Sequence, residues 1–195
     1  MKKVSLSGSL RENVGKKDAK SCRAEGLIPC VIYGTGEQYH ISVNEKEFDK
    51  IIFTPDVYLI DITVGDKTCQ VILQDVQYHP VSDKPLHADF LQVTEDKPVK
   101  VSLPVILEGT APGVMRGGKL KLKLRKLITK GLISNLPEVV KVDINELEIG
   151  SSVKVKDLEV ENVKFLNPAN SVIVGVKMAR GATATAEGEE AEGEE

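Results

Sequence analysis

Residues 11–36 read RENVGKKDAKSCRAEGLIPCVIYGTG and divide into a basic half and an apolar half. The basic half holds five cationic side chains, Arg11, Lys16, Lys17, Lys20 and Arg23. Residues 1–23 contain seven Lys/Arg against two Asp/Glu, whereas residues 24–94 contain four against eleven. Cations set against phosphates supply the sequence-independent part of nucleic-acid affinity. This separation of charge therefore favours a nucleic-acid-binding function.

The overall composition is that of a soluble globular protein. The 195 residues are 41% hydrophobic and 28% charged, and they suffice for one large domain or two small ones. No apolar run approaches the ~20 residues that a bilayer span needs. The N-terminal sequence MKKVSLSGSL lacks the apolar segment of a signal peptide. We therefore expect a cytoplasmic location and no membrane partner.

The three cysteines predict neither a disulfide framework nor a metal site. Cys22, Cys30 and Cys69 are odd in number and widely spaced, without a paired C-x-x-C motif. Cys30 and Cys69 lie in apolar runs, where a cysteine acts as a small hydrophobic residue. Reduced structural thiols and no cofactor are expected.

The first half of the chain alternates short strands with two short helices. The predicted strands are residues 3–10, 28–33, 38–43, 57–64, 68–77 and 88–93, and the predicted helices are 16–25 and 45–53. Asn44 and Glu47 form a capping-box pattern at the start of the second helix. A Pro-containing irregular loop that begins at Gln77 leads into the last strand. Many short strands with few helical residues indicate a small β-barrel.

In the first helix, Lys16, Lys20 and Arg23 are spaced so that they share one face, and Val14, Ala19 and Cys22 are expected to turn inward. A solvated helix face has the same spacing as a phosphate-binding face. The spacing alone leaves both interpretations open.

Residues 95–98 indicate a linker, and residues 95–180 form a second segment that is predicted to be β-rich. In it Leu120, Leu122 and Leu124 alternate with basic residues, which predicts a strand with an apolar and a cationic face. Residues 116–130 carry seven basic side chains and no acidic one. Residues 181–195, GATATAEGEEAEGEE, have nothing to bury and are predicted to be a disordered acidic tail. The predicted domains are thus 1–94 and 95–180, followed by this tail.

An enzyme hypothesis rests on His79, His87 and Asp89, whose side chains are of the kinds that form a facial metal triad. These are three common residues, and Asp89 has a simpler role as a hydrogen-bond acceptor for His87. The segment after Tyr33 lacks a phosphate-binding loop pattern, and no Ser or Cys shows a nucleophile signature. A metal-dependent enzyme is therefore the alternative, and no catalytic residue is predicted.

A binding hypothesis uses the same residues differently. A neighbouring His and Asp can read donor and acceptor groups of bases in an RNA helix with a widened groove, while lysines hold the phosphates. Tyr33 is suited to stack on a base or bond to a ribose, and Gln77 to reach a base edge. Each also has a purely structural interpretation, as a tyrosine at the edge of the core and as an exposed strand residue.

Several motifs, in order, resemble a known family. They are Arg11, Gly15-Lys16, Arg23, Gly26-x-Ile28-Pro29-x-Val31-x-Tyr33-Gly34, Asp75-Val76-Gln77-x-His79-Pro80 and His87-x-Asp89-Phe90. They are similar to the bacterial large-subunit ribosomal protein number twenty-five family over residues 3–93. Segments such as Leu136-Pro137-Glu138 and Leu147-Glu148-Ile149-Gly150 resemble the second domain of its long form, called Ctc or general stress protein Ctc.

The resemblance implies a non-enzymatic 5S ribosomal RNA binder of the large subunit, with a β-barrel first and a β-rich domain second. The RNA contacts that it implies are Arg11, Lys16, Lys20, Arg23, Tyr33, Gln77, His87 and Asp89. Lys20 and Cys22 stand where the family often has Arg and Leu, and Lys lacks the bidentate fork of Arg. The basic run Lys119–Lys126 is expected to contact RNA, a neighbouring ribosomal protein or solvent. A stress-induced adaptor whose second domain binds a protein partner is a further hypothesis.

Overall fold

The computed structural model describes residues 1–65, 67–94, 96–160 and 162–178, and these residues are mainly in β-strands, as predicted. They form two compact units. One contains Met1–Ser102 and Lys130–Glu138, and the other contains Leu103–Thr129 and the described residues from Val139 onwards. The predicted domain boundaries stay a prediction, and the predicted acidic tail lies outside the described residues. Among the described residues, no helix is long and apolar enough to cross a membrane.

The first unit contains a closed six-stranded barrel. Its elements are β1 (Lys2–Leu10), α1 (Lys16–Ala24), β2 (Leu27–Tyr33), β3 (Tyr39–Asn44), α2 (Glu45–Ile52), β4 (Tyr58–Val64), β5 (Lys67–Tyr78) and β6 (Pro85–Gln92). The strand order is β1-β3-β2-β6-β5-β4, closed by pairing of β4 with β1. The pairs β1–β4 and β2–β6 are parallel, and the other four pairs are antiparallel. Closure leaves the barrel without an unpaired edge strand.

Alternating side chains fill the barrel interior because successive strand residues point to opposite faces. Strands β2–β6 contribute fully buried residues, among them Ile32, Ile41, Val43, Ile60, Ile62, Val71 and Phe90. Helix α2 adds Phe48, whose ring meets that of Phe90 edge to face at 6.1 Å between centroids. Gly8 leaves the space that the core requires, since a Cβ there would lie 3.2 Å from Ile41 Cδ1 and 3.3 Å from Ile62 Cγ2.

The helix ends follow from local sequence. The Asn44 side chain accepts a hydrogen bond from the Lys46 backbone N–H at 3.0 Å, so the predicted cap is confirmed. The predicted reciprocal bond of Glu47 is wrong, because its carboxylate accepts from the Ser7 hydroxyl at 3.2 Å. Gly26 follows α1 with φ of 76°, the left-handed conformation that glycine provides at a helix C-terminus.

The remaining described residues form two small sheets. Their elements are β7 (Val99–Glu108), α3 (Pro112–Met115), β8 (Gly118–Leu122), β9 (Lys126–Gly131), β10 (Val140–Asp143), β11 (Ser152–Lys154), β12 (Lys164–Phe165) and β13 (Val172–Met178). The sheets have strand orders β10-β7-β9-β12 and β11-β13-β8. The connection between β7 and β8 contains the single helical turn α3. Strand β11 ends at Lys154, where the chain enters a 3₁₀ turn at Val155–Asp157.

Candidate nucleic-acid interface

The predicted readout residues lie on one outer face of the barrel, centred on β6. Strand β6 lies between β2 and β5, with Gln77 opposite His87 and Asp75 opposite Asp89. On its other side, Asp89 is opposite Val31. Ala88 and Phe90 are fully buried, so the alternating His87 and Asp89 point outward. The barrel register thus brings together residues from three strands.

The connection predicted between strands 68–77 and 88–93 is present but shorter than expected. Strand β5 runs to Tyr78 and β6 begins at Pro85, so only residues 79–84 connect them. The connection is stiffened by His79, whose Nδ1 accepts from the backbone N–H groups of Val81 at 3.3 Å and Ser82 at 3.2 Å. Gln77, His87 and Asp89 therefore lie on paired strands, where their positions are fixed more tightly than on a loop.

His87 and Asp89 are immediate neighbours, and each side chain is 30% exposed. His87 Nδ1 lies 3.0 Å from Asp89 Oδ1, yet this buried nitrogen makes no aligned hydrogen bond. The two atoms are therefore close enough to attract, but the direction of the ring nitrogen does not complete the bond. Since Nδ1 is buried, Nε2 is the ring nitrogen that remains available to a ligand.

Tyr33 adds a hydroxyl beside the same carboxylates. Partial burial raises the pKa of the Tyr33 phenol, and the negative charges of Asp89 and Asp75 raise that pKa further. The phenol is therefore protonated at neutral pH and serves as a hydrogen-bond donor. The face thus offers carboxylate acceptors together with amide, imidazole and phenol groups.

Helix α1 places cations beside this face. Lys16, Lys20 and Arg23 are exposed, and Ala19 and Cys22 are half-buried, as predicted. Val14 is 60% exposed, so its predicted inward orientation is wrong; it precedes the first helical turn. Arg23 Nε donates a hydrogen bond to the Leu86 carbonyl oxygen at 2.9 Å. Because Leu86 precedes His87, this bond fixes the C-terminal end of α1 next to the readout face.

Arg11 differs from the other predicted contacts. Its side chain is only 9% exposed, and its Nε donates to Asp18 Oδ2 at 3.0 Å, with a second contact from Nη2 to the same oxygen. Its backbone N–H donates to the His40 carbonyl oxygen at 2.9 Å. Arg11 therefore ties α1 to the chain beside β3, and a direct RNA contact for Arg11 stays a prediction.

Sequence reasoning missed Asp75 and His40 as members of the outer face. Asp75 is exposed and directly opposite Asp89, and His40 is opposite the outward-pointing Val31. Asp75 precedes Gln77 by two residues, so strand alternation was the signal available for it. The pairing of β3 with β2 places His40 beside Val31.

The described residues form no metal-binding cluster. No group of three His, Cys, Asp or Glu side chains there could hold a metal ion. Burial raises the pKa of the Cys30 thiol to about 12, so this cysteine is protonated and unreactive at neutral pH. The described cysteines are unpaired thiols.

Two family models match this chain. The model of the Ribosomal L25p family matches residues 6–90, and that of the ribosomal protein TL5 C-terminal domain matches residues 98–180. The matches cover the barrel and the second β-rich segment in the same order. They define a ribosomal protein with two domains.

Similar proteins span almost the whole chain. A protein of Azobacteroides pseudotrichonymphae named large ribosomal subunit protein bL25 is 40% identical over 186 residues, covering 95% of this chain and 98% of its own. Proteins of the same name from Porphyromonas gingivalis (41% over 188 residues) and Phocaeicola vulgatus (40% over 196 residues) cover 95% of this chain and 98% and 99% of their own. The chain therefore belongs to the Ribosomal L25p family, in its long two-domain form. It is a ribosomal protein and not an enzyme, so the metal-enzyme alternative is wrong.

Proposed function

We propose that this protein is a structural constituent of the bacterial large ribosomal subunit, in the cytoplasm, and that its barrel binds 5S ribosomal RNA. Helix α1 holds the phosphates, and the outer face of β2, β6 and β5 reads base edges. The observation that carries the proposal is the bond from Arg23 to the Leu86 carbonyl oxygen, which joins a cationic helix to a readout face. The names of the relatives support the assignment to the large subunit.

Helix α1 is positively charged and the outer face of β5 and β6 is negatively charged, and this difference orients the RNA. Lys16 and Lys20 are exposed and make no ion pair with any residue that the structure describes, so their charges are available to phosphates. Asp75 on β5 is directly opposite Asp89 on β6, and both repel phosphates. The backbone therefore lies over α1, and the carboxylates meet base amino groups, which are hydrogen-bond donors.

Such readout requires a distorted RNA helix or unpaired bases. The major groove of regular A-form RNA is too deep and narrow for side chains, and specific recognition uses sites whose base edges are accessible. His87, Asp89 and Gln77 provide donors and acceptors at fixed positions for such a site. Tyr33 is placed to donate to a ribose or base oxygen.

The test measures binding of the full chain to 5S ribosomal RNA and to a transfer RNA of similar size. The variant is Asp89→Asn, and the control is Glu47→Gln on α2, which changes the net charge equally. Removal of a negative charge strengthens binding if the carboxylate acts only through long-range electrostatics. Readout predicts the opposite for 5S RNA, a loss of about tenfold, because a base-edge contact is worth ~1–3 kcal/mol.

Binding to transfer RNA should stay the same or strengthen in the Asp89→Asn variant. Equal or tighter binding of the variant to both RNAs would remove Asp89 from the readout. Failure of the unaltered chain to prefer 5S RNA would overturn the proposed function itself.

A further inference from the structure

The sheet β11-β13-β8 carries a cationic face that the barrel function does not use. Lys119 on β8 is directly opposite Lys177 on β13, and Lys121 is opposite Gly175, which is in turn opposite Ser152 on β11. All three lysines are exposed, and none makes an ion pair with a described residue. We call Lys119, Lys121 and Lys177 the lysine face.

The opposite side of the same sheet is apolar. Leu120 is opposite Val176 and Leu122 is opposite Val174, and both valines are buried. This confirms the predicted strand with a leucine side and a lysine side for Leu120 and Leu122, whereas Leu124 lies beyond the end of β8. The lysine face and the apolar residues are therefore the two opposite sides of one sheet.

Placing lysines opposite one another on this face destabilises the fold, and a purely structural role does not explain why they are there. Directly opposite residues have Cβ atoms ~5 Å apart, and like charges in that position are destabilising. Lys119 and Lys121 are two residues apart on a strand, so their Cα atoms are separated by ~7 Å. Three cations at such spacing form a site of concentrated positive charge.

The centre of the face is flat. Gly175 has no side chain, and a Cβ at this position would lie 3.2 Å from Ser152 Cβ, so the neighbouring strands leave little room for one. The positions Lys119, Lys121, Gly175, Lys177 and Ser152 carry no carboxylate, amide or aromatic group. Lysine acts as a point charge without the planar fork of arginine. The chemistry therefore suits a polyanion backbone and not the edges of bases.

We propose that the lysine face binds the phosphate backbone of ribosomal RNA, as a second RNA contact that is independent of base sequence. The inference rests on the proposed function, since a ribosomal protein meets RNA at high local density. Its chemistry differs from that of the barrel face, because it has cations without readout groups.

The test compares Lys119→Gln/Lys177→Gln with the control Lys156→Gln/Lys164→Gln in the full chain. The control lysines are also exposed, lie in the same unit and remove the same charge. The probe is an RNA duplex of random sequence, titrated over a range of salt concentrations. We expect the slope of log K against log salt to become less steep by about two for the first variant, since each lost phosphate contact contributes ~0.9. The control slope should stay near that of the unaltered chain.

Residues 181–195 carry six glutamates, whose charge is opposite to that of the lysine face. Both variants are therefore also measured in a full chain whose tail glutamates are replaced by Gln. A slope loss specific to the lysine-face variant, in either background, supports the proposal. Identical slopes for the two variants in both backgrounds would overturn it. The preference for 5S RNA over transfer RNA should survive in the lysine-face variant, so failure here is distinguishable from failure of the barrel assignment.

Discussion

Arg11 and Arg23 are both cationic residues of the basic segment, but their guanidinium groups have different surroundings. Arg11 is almost enclosed and shares its charge with Asp18. Arg23 is exposed and gives only its Nε–H to a carbonyl oxygen of the protein. The other N–H groups of Arg23 are not used in this bond, so we expect Arg23 to contact phosphates more readily than the enclosed Arg11.

Replacement of Asp18 by Asn tests the structural role of Arg11. The variant leaves a nearly buried guanidinium without its carboxylate, and a charged hydrogen bond contributes more than a neutral one. Because the Asp18 side chain is 35% exposed, water moderates the loss to about 1 kcal/mol of unfolding free energy. Urea denaturation monitored by circular dichroism measures it.

The matched control is Glu148→Gln. Glu148 also pairs with an arginine, Arg116, at 3.3 Å, but both side chains are more than 60% exposed. Its loss should change stability by only a few tenths of a kcal/mol. Equal effects of the two substitutions would contradict the enclosed role of Arg11.

At the scale of elements, the position of α1 beside β6 depends on the Arg23 side chain. Arg23→Lys retains the charge but loses the planar donor that reaches the Leu86 carbonyl oxygen. We expect weaker 5S RNA binding with an unchanged salt slope for Arg23→Lys. Arg23→Ala should weaken binding and also lower the slope by about one. Filter binding over a salt series separates these effects, and an Arg23→Lys variant that binds like the unaltered chain would argue against a positioning role.

The helices and most strands were predictable because their signals are local. Alternation identified β1 and β4, and the Asn44 cap identified the start of α2. The start of β6 was predicted three residues too late, because the prolines and polar residues before Ala88 are typical of loops. Pairing of β5 with β6 overrides that local preference, and pairing partners are invisible in a single strand.

At the scale of the whole molecule, the barrel contains all of its own pairing partners. Its six strands and both helices lie between Lys2 and Gln92. A fragment of residues 1–94 should therefore unfold in one cooperative transition and keep the preference for 5S RNA. It loses the contact of the Met1 ammonium with Glu138 at 3.5 Å, a partly exposed pair with a small contribution.

The control is a fragment of residues 1–84, which lacks β6. Without this strand, β2 and β5 each have an unpaired edge, and Phe90 is absent from the core. Thermal scans by circular dichroism should show no cooperative transition for it. A gradual melt of the 1–94 fragment would contradict the self-sufficiency of the barrel.

The readout site could be predicted only as a set of residue types. His87 and Asp89 are two apart, so their common side followed from alternation. Gln77, Tyr33 and Asp75 join them through pairings between strands distant in sequence, and the resemblance to a family indicated the first two before any geometry was available. The role of the second β-rich segment as a partner for other proteins, and any link to stress, stay predictions.

The position of β6 in the barrel has a consequence for the order of events during synthesis. It is the last barrel strand to leave the ribosome that makes it, and it enters between two strands that are made earlier. In the function proposed above, the same strand brings the His87 imidazole and the Asp89 carboxylate to the RNA. We therefore expect a nascent chain that ends before β6 to carry the cations of α1 without the complete set of base-reading groups.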